Sequence, residues 1–311
     1  MRLATIDIGT NTTLLLVAEA NDDDVCVLAE RAEITRLGRG IGADGGLGRP
    51  GIERTLAVLT DYVSVARAHG ATIHAIGTEG LRRAPNAREF LEPAAQILGA
   101  TVEVIDGDRE AELSFLAARR SFPAETQATA VVLDIGGGST EIIVARAGHV
   151  DFRRSLPMGS VRLTEKHIRN DPAAAAEVAA ITSEIVQQLA SVPFPRGPLT
   201  LIGTAGTVTT LAAMSRGLTS YDPTRVHGHR LTRTALEHQI DRLRTSTQAA
   251  RETMAGLDPK RADVILAGAC ILATIAQTAQ ANEILVSDRG IRWGLLFEQA
   301  FGKTSDILVL G

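Results

Sequence analysis

Residues 4–18 read ATIDIGTNTTLLLVA and residues 131–145 read VVLDIGGGSTEIIVA. The second stretch aligns on the first without a gap, matching Asp7 to Asp134, Gly9 to Gly136 and Thr13 to Thr140. Each copy predicts a strand, a tight turn and a second strand. A hairpin duplicated at the head of each half predicts related halves around a shared cleft, with the boundary just before the second copy. The polar stretch Ser121–Thr129, which contains Pro123, is the expected junction. Domains of 1–122 and 123–311 follow, with the last ~15 residues allowed to return to the N-terminal domain.

Beyond the repeat, short β-rich runs alternate with helical patterns. Leu3–Ile8, Thr13–Glu19, Val25–Leu28, Ile73–Gly77, Val102–Ile105, Val131–Asp134, Glu141–Ala145 and Leu199–Ile202 are the expected strands. Ile52, Leu56, Leu59, Val63 and Ala66, then Val178, Ile181, Ile185 and Leu189, fall at the spacing that gives a helix one apolar stripe. Ala173–Ala176, after Asp171-Pro172, favours a helix start. The pattern is α/β, with a sheet that is parallel in places.

The chain has 311 residues, 45% hydrophobic and 22% charged, with net charge −4. That profile fits a soluble globular protein with more than one core. A balance so close to neutral argues against non-specific nucleic-acid binding, which needs many Lys and Arg contacts to phosphate. Cys26 and Cys270 stand apart, with no CxxC pair, so a reducing compartment is expected. Met1 leads straight into an apolar strand pattern with no signal-peptide layout. Val264–Ala276, the longest apolar stretch, is short of the about 20 residues a bilayer span needs and predicts a buried helix. A cytoplasmic protein with no membrane partner is expected.

In each repeat an Asp ends an apolar strand, and a glycine followed by small polar residues makes the turn. Glycine lets backbone N–H groups approach one phosphate closely, here around Gly9, Gly136, Gly137 and Gly138. Thr10, Asn11, Thr12, Ser139 and Thr140 add side-chain donors. A carboxylate cannot face phosphate without repulsion, so Asp7 and Asp134 are expected at Mg²⁺ or a water bound to it. A single such turn reads as an ordinary glycine hairpin; an aligned pair favours phosphate. A third glycine turn, Gly203 to Gly206 and Thr207, follows an apolar strand and leads into a helix, a ready anion site or simply tight packing.

Several stretches of the chain together resemble one family, the exopolyphosphatase and guanosine pentaphosphate phosphatase (Ppx/GppA) family. They are Asp7-Ile-Gly-Thr-Asn, Gly77-Thr-Glu-Gly-Leu-Arg82-Arg-Ala-Pro-Asn86, Val104-Ile-Asp-Gly-Asp-Arg-Glu110-Ala-Glu-Leu and Asp134-Ile-Gly-Gly-Gly-Ser-Thr-Glu141. Leu156-Pro-Met-Gly-Ser-Val-Arg-Leu-Thr, Tyr221-Asp-Pro-Thr-Arg-Val-His-Gly, Arg261-Ala-Asp-Val and Ser287-Asp-Arg-Gly-Ile-Arg-Trp-Gly complete the set. The resemblance implies the two-domain actin-like fold of sugar kinases and heat-shock ATPases, related to ribonuclease H, with an interdomain cleft. It implies Glu110 as catalytic base, Arg82 as the arginine facing the phosphate chain, and Asp134 and Glu141 as carboxylates at the metal, with Asp7 nearby. The long helical extension with an HD-type domain found in some members has no counterpart in this sequence, so the match is to the short form. Arg109 stands where an acidic residue often precedes the base, and Trp293 where many members have Glu before a glycine.

The implied reaction is Mg²⁺-dependent hydrolysis of the terminal phosphoanhydride of inorganic polyphosphate. The guanosine alarmone pppGpp is the alternative substrate. Aromatic residues make up only 3% of the chain and offer little for a base-stacking pocket. Rival readings are an ATP-using kinase of the same fold and a non-catalytic alarmone or polyphosphate sensor. A homodimer is left open as the assembly. Arg225, His227, His229 and Arg230 could guide an anionic substrate, although His-Gly-His by itself reads as a polar loop more often than as a ligand pair, and Arg36, Arg39, Arg153, Arg154 and Arg162 likewise read as solvated surface.

Overall fold

A computed structural model describes residues 1–22, 24–41 and 45–302. The chain divides into two compact units, Met1–Ala117 with the segment from Ile291, and Ala118–Gly290. The division lies inside a helix, ahead of the polar stretch expected to mark it. Apolar residues on both sides of Ala117 keep that helix continuous, so composition does not mark the change. Of the C-terminal stretch expected to return to the first domain, residues 303–311 lie outside the described residues; the helix before them belongs to the first unit.

The first unit begins with β1 (Arg2–Ile8), β2 (Thr13–Asn21) and β3 (Asp24–Glu33), then α1 (Arg49–Ala68), β4 (Thr72–Gly77), α2 (Glu79–Arg83), α3 (Arg88–Leu98), β5 (Val102–Val104) and α4 (Gly107–Ser121). Among the described residues its sheet has five strands in the order β3-β2-β1-β4-β5. β1 pairs antiparallel with β2 and parallel with β4. After Arg2 every residue of β1 is buried, as a strand covered on both faces must be. The predicted stripe of α1 is its packed face: Ile52, Leu59, Val63 and Ala66 are buried, joined by Tyr62, whose hydroxyl donates to the Thr13 carbonyl at 2.9 Å.

The second unit contains α5 (Pro123–Gln127), β6 (Thr129–Ile135), β7 (Thr140–Arg146), β8 (His149–Leu156), α6 (Ser160–His167), α7 (Ala175–Leu189), β9 (Thr200–Thr204), α8 (Ala205–Ser215) and α9 (Pro223–Val226). β10 (Arg230–Thr232), α10 (Arg233–Thr245), α11 (Gln248–Arg251), α12 (Ile265–Thr278) and β11 (Glu283–Val286) follow. The sheet order among the described residues is β10-β11-β9-β6-β7-β8. α12, the expected buried helix, is enclosed from Ile265 to Leu272. No helix among the described residues is long and apolar enough to cross a membrane.

The final helix, α13 (Ile291–Phe301), belongs to the first unit. Trp293, Leu296 and Phe297 are buried there with Leu3, Leu16 and Ala18 of β1 and β2 and Leu116 of α4. The strands without a sequence prediction are β8, β10 and β11. β8 is an edge strand that exposes Arg153 and Arg154 and so carries no apolar run, and β10 and β11 are too short to show a period.

Candidate active site

The hairpin turns owe their shape to what binds them from behind. In the first, Gly9 N–H donates to the Thr12 carbonyl at 3.0 Å, and a Cβ at Gly9 would come within 2.9 Å of that oxygen. The carbonyls of Thr10 and Asn11 accept from Gly38 N–H at 2.8 Å and Arg36 N–H at 2.9 Å. In the second, Gly136 N–H donates to the Ser139 carbonyl at 3.0 Å. The Gly136 carbonyl accepts from Ser160 N–H at 3.0 Å, and the Gly137 carbonyl from Val161 and Arg162 N–H at 2.9 and 3.1 Å. Arg162 Nε donates to the Gly138 carbonyl at 2.8 Å. A planar trans peptide points its N–H opposite to its C=O. With these carbonyls fixed toward the buttress, the N–H groups of Asn11 and Thr12, and of Gly137, Gly138 and Ser139, are directed to the other side, the arrangement of an anion-binding nest.

The buttress of the second turn is the start of α6. A Cβ at Gly159 would lie 2.3 Å from the Gly137 backbone, so only glycine lets the helix come this close. Arg162 therefore supports the turn and is not solvated surface.

The third turn joins β9 to α8. Gly203 is packed, since its Cβ would meet Val208 at 2.9 Å. At Gly206 a Cβ would fall 2.3 Å from the Arg261 guanidinium, which thus lies against the start of α8 and adds a cation to a helix N-terminus. Burial lowers the pKa of Arg261 from its ordinary value. Ala205 takes a left-handed φ of 69°, a conformation non-glycine residues keep only under external constraint. Thr207 is buried, and a Cβ at Gly268 of α12 would lie 2.5 Å from its methyl. Sequence reasoning missed Arg261; its motif was visible, its place over Gly206 was not.

β6 and β7 set the carboxylates. Their register places Asp134 directly opposite Glu141, and both are buried. Cross-strand neighbours share a face with Cβ atoms about 4.5–5.5 Å apart, where like charges repel. Glu141 Oε1 accepts from the hydroxyls of Ser139 at 2.8 Å and Ser155 at 2.7 Å. The Thr140 hydroxyl donates to the Met158 carbonyl at 2.5 Å. The hydroxyl hydrogens of Ser139 and Thr140, expected to serve phosphate, are thus engaged by Glu141 and by the Met158 carbonyl. Among the described residues no group of three or more His, Cys, Asp or Glu side chains gathers as a metal cage. A facing pair of carboxylates suits Mg²⁺, which takes one or two from the protein and keeps water and phosphate as its other ligands. In the first hairpin Asp7 stands opposite Leu14.

The first unit brings Glu110 and Arg82 together. Arg82 Nη1 donates to Glu110 Oε1 at 2.7 Å and to the Ile105 carbonyl at 2.6 Å. The Glu110 side chain is 4% exposed and that of Arg82 29%. Arg83 turns elsewhere, to Glu79 Oε1 at 3.0 Å. Glu79, buried and also missed by sequence reasoning, accepts from Thr10 Oγ1 at 3.5 Å and so ties α2 to the first turn.

The flagged Arg109 donates through Nη1 to Glu298 Oε1 at 2.8 Å and through Nη2 to Glu298 Oε2, and the carboxylate raises the Arg109 pKa. In the histidine cluster, His227 stacks on Phe122 at 4.9 Å, and its Nδ1 accepts from Asp288 N–H at 3.2 Å. Burial, with Arg289 adding to it, pushes the His227 pKa down to about 4. Tyr221 donates to Asp288, and Arg230 pairs with Glu283 at 2.5 Å. Arg154 donates to the Ser191 hydroxyl at 2.7 Å beside the Phe152 ring.

The model of the Ppx/GppA phosphatase family matches residues 16–301. Exopolyphosphatase 2 of Mycobacterium tuberculosis is 33% identical over 317 aligned positions, covering 96% of this chain and 98% of that protein. The crystal structure of the Ppx/GppA family member of Aquifex aeolicus superposes with a TM-score of 0.82 at 34% identity, covering 98% of this chain and 99% of that one. An exopolyphosphatase from Cytophaga hutchinsonii superposes with a TM-score of 0.89 at 27% identity, covering 97% of this chain and 98% of that one. The two-unit α/β architecture is the actin-like fold of these solved structures.

Proposed function

The chain belongs to the Ppx/GppA phosphatase family and is a hydrolase, and on that premise we propose that it removes the terminal phosphate of inorganic polyphosphate in a Mg²⁺-dependent reaction. The observation that carries this reading is the back-bound hairpin turn, present in both units, which aims successive peptide N–H groups at one side. Such a turn binds anionic oxygens through backbone N–H groups and makes no contact specific to a nucleoside, and a polymer of phosphate presents only such oxygens. The exopolyphosphatases among the relatives support the same substrate.

Asp134 and Glu141 would hold Mg²⁺, which when bound neutralises charge on the phosphate oxygens. The remaining chemistry belongs to the chain. Arg82 is planar and always charged, so incoming phosphate oxygens compete with Glu110 for its Nη atoms. Once Arg82 turns to phosphate, Glu110 Oε1 is released to accept a proton from water. The water oxygen bonds to the terminal phosphorus, the bridging P–O bond breaks, and the shortened chain departs with the bonding pair. The peptide N–H groups of the turns orient the phosphates for in-line attack.

Phosphate release from polyphosphate and from pppGpp, each with Mg²⁺ and with EDTA, tests the reading. Release from polyphosphate that stops with EDTA is expected. Release from pppGpp alone would reassign the substrate. Binding of either compound without release under all conditions would make the chain a sensor.

A further inference from the structure

Arg109 precedes Glu110 in the first turn of α4, and its guanidinium is held by the Glu298 carboxylate of α13 in a two-pronged ion pair. The side chains are 21% and 9% exposed. One turn further along α4 lies Leu113, and one turn before Glu298 lies Gly294. A Cβ at Gly294 would stand 2.0 Å from the Leu113 carbonyl oxygen, so the helix backbones touch there. The helices therefore meet at successive turns, once by backbone contact and once by ion pair. The backbone contact and the apolar packing of Leu113 and Leu116 hold α4 against α13, but such packing is non-directional; the planar Arg–carboxylate fork adds a directional constraint on the roll at the first turn of α4, because both its N–H bonds must stay in line.

We propose that Arg109, through Glu298, is the positioning residue for Glu110, fixing the roll of α4 and hence where the Glu110 carboxylate stands. This rests on Glu110 being the general base. The start of α4 is pinned in the same sense by Asp106, whose side chain accepts Arg109 N–H at 2.8 Å and whose carbonyl accepts Glu110 N–H at 3.0 Å. The Arg109 charge is engaged by Glu298 and, at 3.5 Å, by Glu112, while Glu110 pairs with Arg82 at 2.7 Å. Trp293, the other departure from the family pattern, packs beside Gly294 on the same helix and holds α13 against β1 and β2.

The test is a mutant cycle on polyphosphate hydrolysis, with circular dichroism and thermal melting on every variant. Arg109→Lys keeps the charge and loses the fork. It should lower kcat by about tenfold to 10², the cost of misplacing a reacting group by about 1 Å, with KM little changed. The exchange Arg109→Glu with Glu298→Arg restores a fork in reverse and should recover most of kcat, which also covers the case in which a single variant fails to fold. In a Glu110→Gln background, Arg109→Lys should cost nothing further. A folded Arg109→Lys enzyme with full kcat, or one whose loss is the same with Gln at 110, overturns the inference while leaving the base in place. If Glu110→Gln alone turns over like wild type, the base assignment fails and this inference fails with it.

Discussion

The turn at Gly9 and the turn at Gly136 close on the same backbone hydrogen bond, each at 3.0 Å, yet different structures stand behind them. The first is held by the irregular segment Arg36–Gly38, the second by the start of α6 with Gly159 and Arg162. Their carboxylates diverge further. Asp7 faces Leu14, whereas Asp134 faces Glu141. The first unit carries instead the Glu110–Arg82 pair on α4 and α2. On the proposed reading the duplicated hairpin keeps its phosphate-facing backbone while the remaining chemistry is divided, with the base and arginine in the first unit and the carboxylates that would hold the cation in the second.

The largest effect that tests this division is at Glu110. Glu110→Gln preserves size and hydrogen bonding and removes the basic oxygen, so kcat should fall by about 10² to 10⁴ while polyphosphate binding, measured directly, survives. A folded variant with near-normal turnover would move the base to the other copy.

Arg82 and Arg83 compare neighbours with different partners. Arg82→Ala should reduce kcat/KM by about 10², the usual cost of losing one charge-stabilising donor. Arg83→Ala, which releases only the partly exposed contact to Glu79, should cost far less. Arg82→Lys should rescue incompletely, because an ammonium cannot reproduce a planar pair of N–H contacts. Steady-state kinetics decide, and equal losses at the two positions would remove the distinction.

The buttresses can be compared by adding one methyl to each. Gly159→Ala places it 2.3 Å from backbone of the second turn, and Gly38→Ala places it 2.4 Å from the Thr10 methyl, a side chain that can rotate. Gly159→Ala should therefore lose about 1–3 kcal/mol of stability and most of its turnover, with Gly38→Ala milder in both. Urea midpoints and phosphate release measure each.

Much of this was legible in the sequence. The repeat showed the hairpins, and the stripe from Ile52 to Ala66 showed the packed face of α1, because both are local periodicities. What the sequence did not show is contact across the chain: Arg109 with Glu298, the Arg261 guanidinium over Gly206, Arg162 behind Gly138, and Glu79 under Thr10. Each joins residues whose separation leaves no period to read. The same is true of the Ser139 and Thr140 hydroxyls, whose small polar type suited phosphate but whose hydrogens go to Glu141 and Met158.

The smallest effect concerns the second unit's stability. His227, held neutral to about pH 4 by burial, protonates near its ordinary value once unfolded. Between those values the unfolded chain binds the extra proton, so stability falls as pH drops from about 6.5 toward 4 and levels below that. His227→Gln should flatten this part of the urea-midpoint profile, and an unchanged slope would place the proton elsewhere.

The division between the copies is tested most directly by the Mg²⁺ concentration that gives half-maximal phosphate release, measured for wild type, Asp7→Asn and Asp134→Asn. Asp134→Asn should raise it by about tenfold or more, and Asp7→Asn should raise it much less, since the cross-strand neighbour of Asp134 is Glu141 whereas that of Asp7 is Leu14. A shift at Asp7 equal to or larger than that at Asp134 would contradict the assignment of the cation to the second copy.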